Sequence, residues 1–406
     1  MIPRLKGTDD ILPPDSERWR RLLRAFDELA ERYGYDLAVM PAIESTELFA
    51  RGVGESTEVV EKQMYTFTDR GGRSVTLRPE FTAGIVRAYV DSGASGVLKL
   101  AASGPQFRYE RPQRGRRRQF FQVDLEYLGE PGPNADVEVI EFSHRLLTML
   151  EVPEPQVLLN SIGDPADRAA YRVVLLDFLA GVEGELSPDA RRRLADNPLR
   201  VLDSKADAEV VADAPVPLDH LGGEAASHFA KVRAGLESLG VPYALAPRLV
   251  RGLDYYNRTV FELVSPGFEA AQASLGGGGR YDPLAEMIGA DRPVPAVGVA
   301  LGCDRIVAAM PGPASGRLDL FVALADPEQY GEAERWVSDL RARGLRVDWS
   351  PGGSLKAQFR AADRCGAAVA AVVGGEWNAG EVTVKDLTTG EQSVVEIEEV
   401  LAWLQR

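Results

Sequence analysis

Metal-ligating side chains are scarce in this chain of 406 residues, which holds two cysteines and three histidines. Cys303 and Cys365 stand outside any CxxC arrangement among small or apolar neighbours, so they read as small buried thiols rather than redox or metal groups. His144, His220 and His228 have no second ligand-type residue at a metal-site spacing, and no metal held by protein ligands alone is expected. Long apolar runs are missing as well. Nothing approaches the ~20 residues that cross a bilayer, and Met1-Ile2-Pro3-Arg4-Leu5-Lys6-Gly7 turns polar without the apolar core of a signal peptide. A cytoplasmic location and no membrane partner are the expectation. Positive charge is in deficit, with a formal net charge of −15, which argues against a surface coated in nucleic acid and against a DNA partner.

What is present suits a globular protein of more than one domain, with 45% hydrophobic and 26% charged residues and no low-complexity stretch. Between Ser16 and Tyr33, Trp19, Leu22, Leu23, Phe26, Leu29, Ala30 and Tyr33 recur at the three-and-four spacing of an amphipathic helix, with Gly34 to end it. Arg78-Pro79-Glu80 reads as the start of a second helix, with proline in its first turn and Ala83, Val86, Arg87 and Val90 following at helical spacing. From Phe121 to Tyr127 the pattern alternates, with Gln122, Asp124 and Glu126 on one face of a strand. That polar face is either solvated or the lining of a pocket, and the alternation leaves both open.

Residues 165–240 are charged and helical in period, with breaks at Pro188, Pro198 and Pro215, and read as an inserted helical subdomain. Strands are expected at 259–264, 269–275 and 295–302, and Pro311-Gly312-Pro313-Ala314-Ser315-Gly316 reads as a linker. Beyond it, strand and helix patterns alternate over 319–373, and a further strand region and a closing helix follow, which predicts a small α/β domain with largely parallel strands.

Six arginines, Arg108, Arg111, Arg114, Arg116, Arg117 and Arg118, fall in one short segment broken by a single acid, Glu110. Pro112 and Gly115 force a loop there, with a strand on each side of it, and guanidinium groups on such a loop suit phosphate because the planar fork donates two parallel hydrogen bonds. Taken alone, the cluster fits a solvated basic loop equally well.

The run from Gly104 to Gln122 resembles motif 2 of class II aminoacyl-tRNA synthetases in the form found in histidyl-tRNA synthetases. Four other segments are similar to that family. They are Thr76-Leu77-Arg78-Pro79-Glu80-Phe81-Thr82-Ala83-Gly84, Leu249-Val250-Arg251-Gly252-Leu253-Asp254-Tyr255-Tyr256-Asn257-Arg258-Thr259, Leu275-Gly276-Gly277-Gly278-Gly279-Arg280-Tyr281-Asp282, and the motif 3-like Pro295 to Arg305. The resemblance implies an α+β fold. A class II catalytic domain over 1–317 would hold an antiparallel sheet, flanking helices and the helical insertion at about 165–240, and an α/β anticodon-binding domain would occupy 318–406. It implies ATP with Mg²⁺, L-histidine and the cognate tRNA(His) as partners, and a homodimer.

Residue by residue, the resemblance puts Arg108 and Arg251 at the α-phosphate as catalytic cations, and Arg108, Glu110, Arg116, Phe120, Arg251 and Arg305 in the ATP site. Histidine would meet Glu80, Phe81, Thr82, Arg108, Gln122, Glu126, Arg251, Tyr255, Tyr256 and Tyr281, and the tRNA acceptor end Gln113 and Arg114. Phe81 stands where many members have glycine, Asp304 where many have glutamate, and Phe121 where histidine is frequent. A non-catalytic relative of the same fold, the histidine-sensing regulatory subunit of ATP phosphoribosyltransferase, is the competing expectation. Such proteins usually lack the anticodon domain and carry degenerate forms of the Arg251 segment, whereas this chain carries both features.

Overall fold

Apolar residues at three-and-four spacing give helix α1 (Asp15–Arg32), which buries Trp19, Leu22, Phe26, Leu29 and Ala30, and Gly34 follows it with a φ of 73°. The computed structural model describes residues 2–54, 57, 59–112, 115–196, 198–202, 204, 206–266, 273–312 and 318–404. They fall into two compact units, residues 1–311 and 312–406.

An eight-stranded sheet organises the first unit. Its long strands are β1 (Leu98–Phe107), β2 (Gln119–Leu128), β3 (Gln156–Ser161), β4 (Asn257–Val264), β5 (Ser274–Arg280) and β6 (Ala296–Gly302). In space they run β1-β2-β6-β5-β4-β3, all antiparallel, with Asp36–Leu37 and Tyr243–Leu245 added in parallel at the two edges. On one face α1, α3 (Pro133–Met149), α5 (Gly223–Ser238) and α6 (Cys303–Ala309) close the main core over Val123, Leu125, Leu159, Phe261 and Val299. On the other face α2 (Thr82–Asp91) packs with Phe49, Tyr255, Tyr256 and Tyr281 in a smaller core. The alternation of β2 therefore sends Val123 and Leu125 one way and Gln122, Asp124 and Glu126 the other. The three polar residues are 9%, 0% and 0% exposed, so the face is no solvated surface.

Helix α2 begins at Thr82 rather than at Pro79. Glu80 accounts for the difference: its carboxylate accepts the Ala83 N–H at 3.0 Å, capping the first turn from outside the helix. The glycine run at 276–279 lies in β5, in the middle of the sheet, and the expected strand at 269–275 falls mostly on residues outside those described. Close approach explains the glycine at 277, where a Cβ would come within 2.7 Å of the Arg251 guanidinium. At Gly298 of β6 a Cβ would overlap the Glu126 carboxyl group.

The inserted region divides. Helix α4 (Pro165–Val182), the short helix Pro188–Asp196 and the segment to Ala214 share a core of their own around Tyr171, Leu175, Leu186 and Val201. The return helix α5 instead buries Phe229, Val232 and Leu236 in the main core.

In the second unit the sheet order is Val347–Trp349, Leu320–Leu324, Val369–Val373, Glu381–Asp386, Gln392–Glu396. The first three strands are parallel, as the alternation predicted, but the last two form an antiparallel hairpin. Asp386 sets its turn by accepting the Thr388 and Thr389 N–H groups at 2.7 and 2.8 Å. Among the described residues, no helix is long and apolar enough to cross a membrane.

Candidate active site

Strands β1 and β2 form a hairpin, and of its connecting segment Arg108, Glu110, Gly115, Arg116 and Arg117 line the same cleft as Gln122 of β2. The Arg108 N–H donates to Arg118 O at 2.9 Å. Arg108 also donates through Nε to Pro79 O at 3.0 Å, with its guanidinium 5.2 Å from the Phe120 ring centre. It lines a cleft of about 1180 Å³, counting the open mouth, and Arg116, Arg251 and Arg305 line the same cleft. With Arg117, which also lines it, three distant parts of the chain supply five arginines to one space.

Each is held differently. Arg305, from α6, donates through Nε to Gly115 O at 3.1 Å and through Nη1 to Ser274 O at 2.7 Å. Burial, then the neighbouring charge of Arg116, pushes the Arg305 pKa down, against the opposing charges of Glu110 and Glu262. Arg251 has Glu262 of β4 as its facing carboxylate, 3.6 Å from Nη1. Arg116 is half exposed and sits 3.7 Å from the Glu110 carboxylate, which also lines the cleft, as does Phe120.

The basic segment is not a uniformly solvated loop. Arg117 pairs with Asp304 at 2.7 Å and with Asp9 at 2.9 Å, and Arg118 lies 3.9 Å from the Tyr109 ring centre. Asp304 in turn accepts the Phe121 N–H at 3.0 Å, so it fastens the hairpin to α6. Gln113 and Arg114 lie outside the described residues.

At the inner end of the cleft Glu80, Thr82, Gln122, Tyr255, Tyr256 and Tyr281 come together, all of them buried. Two expected neighbours are placed otherwise. Phe81 is turned into the smaller core, 1% exposed, with the Arg78 guanidinium 4.3 Å from its ring centre, so an apolar ring avoids the polar cleft altogether. Glu126 lies below the cleft surface, where its carboxylate accepts the Thr82 hydroxyl at 2.6 Å and the Tyr281 hydroxyl in a short hydrogen bond. It ties α2 to the segment after β5 and so fixes two residues of the wall.

Burial pushes the Glu126 pKa up to about 8, against the pull of the hydrogen bonds from Thr82 and Tyr281 and with the charge of Glu80 adding to the rise. A folded-state value above the ordinary one means that this group's contribution to stability is complete below about pH 4.5 and is lost as pH rises through about 8. Urea unfolding of the wild type should therefore give a free energy that falls between about pH 5 and pH 9, Glu126 supplying on the order of a few kcal/mol of that fall. Glu126→Gln should flatten the slope, and an unchanged slope would show that this carboxyl group is not the one titrating.

Sequence reasoning missed Glu262, and it marks Asp304 only as a departure from the family's usual glutamate, with no role. A lone acid in the otherwise apolar stretch Thr259–Val264 was a signal for Glu262, and the partner of Asp304 lies 187 residues away, beyond any local pattern.

Residues 7–306 match the family described as histidyl-tRNA synthetase, and residues 319–406 match the anticodon binding domain. The chain is 44% identical over 418 residues to a histidine–tRNA ligase of Geobacillus kaustophilus, covering 99% of this chain and 97% of that one. It is 47% identical over 410 residues to one of Mycobacterium bovis, covering 98% and 96%. The crystal structure of apo histidyl-tRNA synthetase from S. aureus superposes with a TM-score of 0.77 at 34% identity, covering all of both chains. With the family matched over most of its length and full-length relatives well above 30% identity, the chain belongs to the histidyl-tRNA synthetase family.

Proposed function

We propose that this protein is a histidine–tRNA ligase that activates L-histidine with ATP and then transfers it to the 3′ end of tRNA(His). The observation that carries the reading is the convergence of Arg108, Arg251 and Arg305 on one cleft whose inner end is built from a carboxylate, an amide, a hydroxyl and three tyrosines. In the first step a carboxylate oxygen of histidine attacks the α-phosphorus of ATP. A new O–P bond forms, the bond to the β-phosphate oxygen breaks, and pyrophosphate leaves. Arg108 and Arg251 flank that phosphorus and hold the charge that accumulates on its oxygens, while Arg305 holds the γ-phosphate. Cations already fixed by Pro79 O, Glu262, Gly115 O and Ser274 O need little reorganisation as charge develops.

Magnesium enters as part of the nucleotide substrate, carried on its phosphates. Glu110, Arg116 and Phe120 take the rest of the nucleotide, and Gln113 and Arg114 meet the acceptor end of the tRNA. Glu80, Thr82, Gln122, Tyr255, Tyr256 and Tyr281 enclose the amino acid, with Glu126 bracing Thr82 and Tyr281 from below. A site that must satisfy buried polar groups rejects side chains that leave them unpaired. Residues 1–317 form the catalytic domain with its insertion and 318–406 the anticodon-binding domain, and the protein works as a cytoplasmic homodimer.

The test is ATP–pyrophosphate exchange with the purified full chain. Exchange that requires L-histidine is the expected result. Histidine binding without exchange would overturn the reading in favour of a histidine-sensing, non-catalytic protein.

A further inference from the structure

The floor of the cleft buries more acid than its hydrogen bonds satisfy. Asp124 lies between Gln122 and Glu126 on the cleft face of β2, opposite Ala102 of β1 and Ala300 of β6. It is 0% exposed, and neither carboxyl oxygen has a hydrogen-bond partner among the described residues. Two more acids are buried beside it. Glu126 is bonded by the Thr82 and Tyr281 hydroxyls, and Glu80 takes the Ala83 N–H on Oε1 while Oε2 has no partner.

The cations facing this group are Arg78 and Arg108. Both are engaged elsewhere, Arg78 with the carbonyl oxygens of Met40, Pro41 and Pro105 and Arg108 with that of Pro79. The thiol of Cys303, on α6, is a further titratable neighbour, and burial pushes it up, with Asp304 and Asp124 adding. Gln122 supplies an observation independent of the acids: it lines the cleft, is nine-tenths buried, and its Oε1 also lacks a partner among the described residues.

Three buried carboxyl groups whose charges act on one another cannot all ionise readily, so they shed their protons as a coupled set. Burial, then the charges of Glu126 and Glu80, pushes Asp124 well above the usual carboxylate range, with Arg108 and Arg78 opposing. Asp124 is the member without donors among the described residues to stabilise its anion, and so the last of the three to give up its proton.

Resting on the ligase reading, we propose that Asp124 is a further residue of the amino-acid site, a neutral acid in the free protein that ionises when the α-ammonium group of the amino acid enters and answers that positive charge from beneath the floor. The O–H bond of Asp124 breaks, its proton passes to solvent, and no other bond changes. The same device disfavours ligands without a cationic nitrogen, because for them the carboxyl group stays neutral and contributes no attraction.

Calorimetric titration of the full chain with L-histidine, in two buffers of different ionisation heat, reads the protons released on binding. At about pH 7.5 the free imidazole is largely neutral and contributes little to the release. The wild type should release a measurable fraction of a proton. Asp124→Asn should lose that release and bind histidine ~10-fold more weakly, the equivalent of about one pKa unit of lost charge interaction, with ATP affinity unchanged. Asparagine copies the shape and neutrality of the protonated acid, so the variant should fold, and Asp124→Ser, which removes the acid with less bulk, gives an independent reading. Either folded variant releasing as many protons as the wild type, or binding histidine as tightly, overturns the proposal. A wild type that fails to bind histidine at all would instead sink the ligase reading on which it rests.

Discussion

Arg251→Ala should lower histidine-dependent ATP–pyrophosphate exchange by about 10²- to 10³-fold, the loss typical of removing one preorganised donor from a developing charge, while the dissociation constant for histidine moves only a few-fold. The reason lies in where the guanidinium is held. Glu262 faces it at 3.6 Å, its buried Nε has no hydrogen-bond partner among the described residues, and Gly277 leaves the space it occupies. In the role proposed for it, such a group meets charge that exists only while the α-phosphorus is being attacked, so removing it should lower kcat and kcat/KM together and leave ground-state binding nearly intact. Single-turnover formation of the adenylate separates the two effects. A variant that exchanges at the wild-type rate, or one whose whole deficit is in histidine affinity, would remove Arg251 from the chemistry.

How much of this was legible beforehand depended on whether the cause was local. Helix α1 and strand β2 follow from periodicity, because a helix stripe and an alternating strand each need only nearby residues to declare which face is buried. The arginine segment declared a loop through Pro112 and Gly115. By contrast, Gly276–Gly279 looks like a turn, since glycine is a poor strand former. Its place in the middle of the sheet depends on neighbouring backbones and on Arg251, none of which is near in sequence. Phe81 follows the same logic in reverse. Lying between two cleft residues, Glu80 and Thr82, it is expected to share their role, but successive side chains at the start of a helix leave in different directions and the ring found the smaller core. Alternation puts Glu126 on the correct strand face, yet it cannot say that two hydroxyls from other elements are already bonded to it.

The second large effect should come from the other end of the chain. Removing residues 312–406 should leave histidine-dependent exchange within a few-fold of the full chain and reduce tRNA charging by on the order of 100-fold or more, since each 1.4 kcal/mol of lost tRNA contact is tenfold in binding. Folding should survive the cut, because the first unit closes its cores with its own residues: every member of the main core lies between Ile11 and Met310, and the cleft is lined by residues 59 to 305. The second unit has separate cores on both faces of its sheet, one around Leu320, Trp336 and Val384 and one around Phe321, Ala362 and Ala370. Bases in an RNA loop are read by stacking and edge contacts, and a domain that supplies such contacts contributes to holding tRNA and nothing to the attack on the α-phosphorus. Charging kinetics with varied tRNA should accordingly show the loss in kcat/KM for tRNA. Equal charging after truncation would reject the anticodon-binding role of residues 318–406, and loss of exchange in a folded truncated chain would show that the second unit is needed to complete the catalytic site.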